Sequence, residues 1–213
     1  MTNNQGRCEM EKVSRKYDII YADPPWEYRV WSKKGSKRSA EAHYSTQSLG
    51  YLACMDIASL CNLDCVLLMW ATFPCLLEAF ALGKAWGFIY KTVAFVWIKR
   101  NQHNQNLSTG MGYYTRANAE VVLLFTKGRA LTRASKNVPQ VLISPKGKHS
   151  QKPPEIRKRI ERLFGDRSRL ELFARSREGF FQDVEYEGWD VFGNEANHSI
   201  PINLNQHLFP LKI

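Results

Sequence analysis

YDIIYADPPWEYRVW, residues 17–31, opens as a buried strand and then breaks into an acid, two prolines and a tryptophan. The run YDIIYA (17–22) lacks the polar alternation of a half-exposed strand and reads as one covered on both faces. Asp23 then stands at the carboxyl end of that strand, where open α/β sheets bind their ligands. Consecutive prolines fix φ twice and remove two donors, so the surrounding carbonyls are expected to face outward as unpaired acceptors. An acid beside rigid carbonyls, followed by an indole, suits a planar ligand bearing an amino group: the carboxylate and a carbonyl take its N–H bonds and aromatic faces stack on its ring. The same residues also spell an ordinary Asp-Pro-Pro turn with Trp26 plugging the core.

Further apolar runs bounded by turn residues follow: DCVLLMWAT (64–72), TVAFVWIK (92–99), AEVVLLFT (119–126), QVLIS (140–144) and RLELFA (169–174). Helices are predicted within 46–61, over about 74–86 and over 153–164. The last has Pro153 and Pro154 at its start, Ile156, Ile160, Leu163 and Phe164 at helical spacing, and Arg or Lys on the other face. Alternating strands and helices imply an α/β fold. The polar stretch 100–118, with Gly110 and Gly112, reads as a long loop of the kind that usually carries function, and 127–139 as a second loop. Residues 196–213 form a tail or an edge element.

The chain of 213 residues, 44% hydrophobic, is expected to fold as one globular domain with its core over about 17–195. Without a run of 18 apolar residues or a signal-like leader, it is expected to be soluble and cytoplasmic, with no membrane partner. Five cysteines without a C-x-x-C pair argue for reduced core thiols and against a zinc site. The formal charge of +10 is unevenly spread: residues 121–154 hold seven Lys or Arg and no acid, and Arg29, Lys33, Lys34, Lys37 and Arg38 cluster after the corner. Two such clusters in turn-rich segments point to a polyanion partner rather than a merely solubilising face.

The corner and its surroundings resemble the amino-methyltransferases that use S-adenosylmethionine, specifically the DPPW-type N6-adenine branch that includes the eukaryotic messenger-RNA adenosine methyltransferase. HYST (43–46), CVLLMWAT (65–72), VAFVWIKRN (93–101), HSQKPPEI (149–156), ELFAR (171–175) and GWDVFGNE (188–195) are similar to segments of that family and occur in its order. The resemblance implies a Rossmann-like methyltransferase with a mostly parallel central sheet, helices on both faces and a permuted motif order, the catalytic half coming first. That order accounts for the lack of a G-x-G-x-x-G after the first strand.

Residue by residue, the resemblance places Asp23 and the Pro24 and Pro25 backbone around the adenine amino group, with Trp26 lining the site and Tyr44 at a gate over it. It places Lys152 beside cofactor and target, Glu171 and Arg175 on the ribose and methionine side, and Asn194 and Glu195 where the cofactor is held. Between Arg175 and Trp189 the chain carries a longer segment than its relatives, SREGFFQDVEYEG, so Arg177 and Glu178 stand as further candidates for ribose contacts. Simpler readings exist for these positions: a surface ion pair for Glu171 and Arg175, a solvated charge for Lys152, a turn for Asn194 and packing for Tyr44.

The implied reaction is direct in-line methyl transfer to an exocyclic amine, with Asp23 and a proline carbonyl accepting its hydrogens and supporting the charge that develops on nitrogen. A base in a duplex must first be flipped out. The basic loops offer the clamps, with Arg29, Lys33, Lys34, Tyr113, Tyr114 and Arg116 as candidate substrate contacts. A compact chain without zinc-finger spacing or long heptads resembles a bacterial or phage DNA-modifying enzyme, acting as monomer or homodimer. The alternatives are RNA adenosine, N4-cytosine in DNA, or an inactive nucleic-acid-binding scaffold.

Overall fold

The computed structural model describes residues 15–26, 47–147, 151–174, 186–193, 196 and 198–205. Strand β1 (Tyr17–Ala22) lies inside a seven-stranded sheet of order β5-β3-β4-β2-β1-β6-β7. Its neighbours are β2 (Cys61–Ala71) and β6 (Arg169–Leu172), both parallel to it. β6 continues in parallel to β7 (Asp190–Phe192). On the other side, β4 (Ala119–Lys127) runs antiparallel to β2 and to β3 (Ile89–Arg100), and β3 pairs in parallel with β5 (Val141–Pro145). Four of the six pairings are therefore parallel, as the α/β reading expects.

The missing polar alternation has its cause in two covered faces. On one, Ile20, Ala22, Leu67, Met69, Leu123 and Leu170 pack with residues of α1 (Leu49–Cys54), α2 (Ile57–Leu60) and α3 (Leu76–Ala85). On the other, Ile19, Tyr21, Val66, Leu68, Trp70 and Val122 pack with Ile156, Ile160 and Phe164 of α4 (Glu155–Phe164). Neighbouring residues of one strand thus go to opposite cores, which demands apolar side chains at successive positions.

Some boundaries differ from the sequence reading. The helix expected within 46–61 is two, because the Asp56 carboxylate accepts from the Ser59 amide at 3.2 Å and caps a new start. α4 does not keep all its basic residues on the outer face. The Arg159 guanidinium turns inward and donates to the carbonyls of Pro139 and Val141, at 2.8 and 2.9 Å, tying the helix to the start of β5. β7 was not foreseen, since three residues are too few to establish a period.

Among the described residues no helix is long and apolar enough to cross a membrane. Cys61, Cys65 and Cys75 are free thiols, and no group of three or more His, Cys, Asp or Glu side chains among the described residues could hold a metal ion.

Candidate active site

Ala22, the last residue of β1, pairs with Met69 of β2 and Leu172 of β6, so Asp23 emerges between the carboxyl ends of three parallel strands. Its amide still donates to the Leu172 carbonyl at 3.4 Å. The prolines then fold the chain back tightly, which corrects one expectation: their carbonyls are not left unpaired. Pro24 accepts from the Trp26 amide at 2.8 Å, and Pro25 from the Gln47 amide at 3.0 Å. Each carbonyl oxygen keeps only its second lone pair for a ligand. Trp26 is buried and its indole N–H donates to the Trp70 carbonyl at 3.2 Å, so its ring braces the core beneath the corner.

Lys152 stands just before the prolines that open α4. Its Nζ lies 3.0 Å from Asp23 Oδ1, 3.1 Å from Glu120 Oε2 and 5.3 Å from the centre of the Trp70 ring. Glu120 also forms an ion pair with Lys99. The antiparallel strand explains this meeting: the start of β4, carrying Glu120, and the end of β3, carrying Lys99, reach the same sheet edge as the end of β1. The result is a line of alternating charges: Asp23, Lys152, Glu120 and Lys99.

Electrostatics fix the protonation of this line. Burial works against the charge on Lys152, but Asp23 first and Glu120 second outweigh it and raise its pKa above the ordinary lysine value. Burial likewise opposes ionisation of Glu120, while Lys152 and Lys99 together leave its pKa below the ordinary carboxylate value. Lys152 is thus a held cation that donates hydrogen bonds and is unsuited to take up a proton. Beside it, Trp70 donates through Nε1 to the Tyr21 hydroxyl at 2.6 Å. Burial, then the Glu171 charge, raises the Tyr21 pKa far above the phenol range and keeps that hydroxyl neutral.

Glu171 is the register partner of Tyr21 on β6 and is buried. Both of its carboxylate oxygens are gripped by Arg157 of α4, through Nε and through a second nitrogen at 2.9 Å, and the guanidinium lies 4.6 Å from the Tyr186 ring. Arg157 is thus an ion-pair partner of Glu171 in the interior, and Arg175, the other half of the surface pair considered for it, lies outside the described residues. Just beyond, Phe173 has φ of 63°, unusual for a bulky residue. Gly193 crosses so close to it that a Cβ there would lie 2.0 Å from the Ala174 carbonyl oxygen. The ends of β6 and β7 thus form a close-packed cradle beside Asp23.

The structure brings together Asp23, Pro24, Pro25, Trp26 and Lys152, with Glu171 one strand away. Tyr113, Tyr114 and Arg116 lie exposed on the arm between β3 and β4. Arg29, Lys33, Lys34, Tyr44, Arg175, Arg177, Glu178, Asn194 and Glu195 lie outside the described residues. Sequence reasoning missed Glu120, Lys99 and Arg157. Glu120 had a visible signal: it is the one acid in the apolar run AEVVLLFT, at the point where that strand enters the sheet.

A ligand with an ammonium and a carboxylate, such as the methionine end of S-adenosylmethionine, is matched by this donor set. Asp23 offers an anion and Lys152 a cation.

The profile of the MT-A70 family matches residues 17–195. The chain is 39% identical over 197 residues to the type II methyltransferase M.MunI of Mycoplasma sp., covering 85% of this chain and 78% of that protein. It is 27% identical over 188 residues to a probable N(6)-adenosine-methyltransferase MT-A70-like protein of Oryza sativa subsp. japonica, covering 85% of this chain and 23% of that one. The N(6)-adenosine-methyltransferase catalytic subunit METTL3 of Homo sapiens is 27% identical over 187 residues, covering 85% and 28% respectively. The chain thus spans about a quarter of the length of these two eukaryotic relatives.

Proposed function

The chain belongs to the MT-A70 family and is a methyltransferase, and we propose that it methylates the N6 amino group of adenine in DNA. The observation that carries the chemistry is the Asp23 carboxylate, 3.0 Å from a Lys152 held as a cation, at the edge where three strands end. Bound S-adenosylmethionine supplies an electrophilic methyl group. The chain's own work is to hold the amine and dispose of its proton. Asp23 accepts one N–H of the adenine amine and the second lone pair of a proline carbonyl takes the other, which supports the charge growing on nitrogen. Lys152, already protonated, orients Asp23, so the proton leaves through Asp23 or to water. Lys152, Glu171 and, from the resemblance, Arg175, Arg177, Glu178, Asn194 and Glu195 hold the methyl donor, with Trp26 and Tyr44 about the target base.

The choice of DNA draws on the likeness to a type II methyltransferase over most of that protein's length. Of the basic stretch 121–154, Lys146 follows β5 on the edge that carries Asp23 and is placed to meet a phosphate, whereas Lys127 and Arg129, at and beyond the far end of β4, face the opposite edge. Adenosine in RNA is the second reading, favoured by the N(6)-adenosine methyltransferases named above at lower identity. Matched DNA and RNA oligonucleotides incubated with labelled methyl donor, followed by nucleoside identification, decide between them. N6-methyldeoxyadenosine is the expected product. Label only in RNA, on cytosine or in no nucleoside would reject the proposal.

A further inference from the structure

The segment 100–118 contains no Asp or Glu, carries Arg100, His103 and Arg116, and has five Asn or Gln within 101–106. It is built as a folded arm. Gly110 and Ala117 exchange N–H to carbonyl bonds of 2.7 and 3.2 Å, and Arg100 bridges to Leu107. At the tip a Cβ on Gly112 would lie 2.1 Å from the Thr115 carbonyl oxygen, so only glycine permits the crossing. This ordered turn holds three large side chains outward: Met111, Tyr113 and Tyr114 are 85%, 73% and 93% exposed. The two tyrosine rings meet edge to face at 4.9 Å, and the Arg116 guanidinium approaches the Met111 sulfur at 3.8 Å.

The arm leaves the sheet at the site. β3 runs in the same direction as β1 and β2, because β4 is antiparallel to both β2 and β3, so the arm rises from the edge that carries Asp23. Lys99, paired with Glu120, anchors both of its sides: its amide donates to the Asn118 carbonyl at 2.8 Å and its carbonyl accepts from Ser108 at 2.7 Å. Alongside, Gln102 donates to the Lys146 carbonyl at 2.8 Å, tying the arm to the basic segment that leads toward Lys152.

We propose that this arm enters the DNA duplex, and that its Met111, Tyr113 and Tyr114 tip occupies the gap left when the target adenine turns out into the Asp23 site. The proposal rests on the DNA reading above. Three side chains framed by polar and basic residues are far too small a patch for a stable protein interface, which buries roughly 800 Å² on each partner. They match a stacked base, which has apolar faces, polar edges and phosphates beside it. Turning out a paired base costs a few kcal/mol, and inserted side chains offset the lost stacking.

The test uses the full chain and three substrates: a fully paired duplex, the same duplex with the target adenine opposite an abasic site, and the single strand. In the double variant Tyr113→Ala/Tyr114→Ala, transfer to the paired duplex is expected to fall at least ~10-fold, the scale of one lost aromatic stack. Transfer to the abasic duplex and the single strand, where the base is already loose, falls far less. Tyr113→Phe/Tyr114→Phe keeps the rings and restores the paired-duplex rate. Equal losses on all three substrates, or no loss on the paired one, overturn the proposal. So does a changed oligomeric state with unchanged substrate preference, which would make the tip a protein contact. Failure of the DNA reading is seen separately, as wild-type protein that modifies none of the three.

Discussion

Lys152 Nζ sits 3.0 Å from Asp23 Oδ1 and 3.1 Å from Glu120 Oε2, so one ammonium joins the end of β1 to the start of β4. Two carboxylates this close to each other would repel, and one would hold a proton at neutral pH. The cation between them keeps both ionised. Asp23 therefore meets an incoming amine as a carboxylate whose orientation is already set.

The first prediction concerns that carboxylate. Asp23→Asn preserves volume but removes the charge that supports a positive nitrogen. Methyl transfer is expected to fall by roughly 100- to 1,000-fold, the usual cost of losing one preorganised electrostatic contact. Lys152 retains Glu120, so the thermal midpoint should move by only a few degrees. A turnover within threefold of wild type would remove Asp23 from the mechanism.

Glu120 is predicted to matter to stability as much as to activity. Glu120→Gln leaves Lys99 and Lys152 facing an amide, and breaking a buried pair from one side costs about 3 kcal/mol. Adding Lys99→Met removes one of the stranded charges and should recover a large part of the loss. Urea unfolding of the two single variants and the double variant measures the coupling, and strictly additive losses would show the three groups do not act together.

Acid should expose the same group. Glu120 has a folded pKa below its ordinary 4.5, so its contribution is fully present above that value and is lost as pH falls through the lower folded one. Lys152 is shifted upward from 10.5, so its contribution is full below that value and disappears only as pH rises through the higher folded one. The difference in unfolding free energy between wild type and Glu120→Gln should stay constant from neutral pH down to about 5 and shrink below about 4.5. A difference that grows on acidification would reverse the assigned sign.

How legible this site is in the sequence follows from where each residue's partner lies. Asp23 and Lys152 stand in distinctive local settings, DPPW and KPPEI, and those settings are written into the chain. Glu120, the one acid of its apolar run, and Lys99, at the end of another, carry nothing local that names their partners. They become part of the site only because β4 is antiparallel in a sheet that is otherwise parallel there, a pairing no local pattern encodes. Arg157 hides for a related reason: it looks like one more basic residue on an amphipathic helix until Glu171, buried on β6, turns it inward. The proline carbonyls illustrate the opposite error, since their missing donors are local but the amides that satisfy them belong to Trp26 and Gln47.

Trp26→Phe separates the brace from the ring. Phenylalanine keeps the aromatic plane but loses the N–H that donates to the buried Trp70 carbonyl, which should cost about 1–2 kcal/mol in urea unfolding. Transfer by the folded protein should stay within about threefold of wild type, because the buried indole braces the corner from beneath and the phenyl ring can fill that place. A large loss of turnover at full stability would assign the indole nitrogen a part in the chemistry.

Glu171 is the residue where support of the fold and grip on the methyl donor are hardest to separate, because Arg157 already holds both of its oxygens. Glu171→Gln alone strands a buried guanidinium, so a fall in activity would say nothing about the donor. The decisive variant replaces both partners, Glu171→Leu with Arg157→Leu, which removes the charges together and should recover most of the roughly 3–5 kcal/mol lost on breaking the pair from one side. With the fold restored, the two roles diverge in kinetics. A brace alone predicts a normal KM for S-adenosylmethionine in the double variant. A carboxylate that also holds the donor predicts a KM that stays at least ~10-fold high, the effect of losing one charge-assisted hydrogen bond of about 1.5–3 kcal/mol, and this is the outcome expected. A normal KM in the refolded double variant would confine Glu171 to the interior.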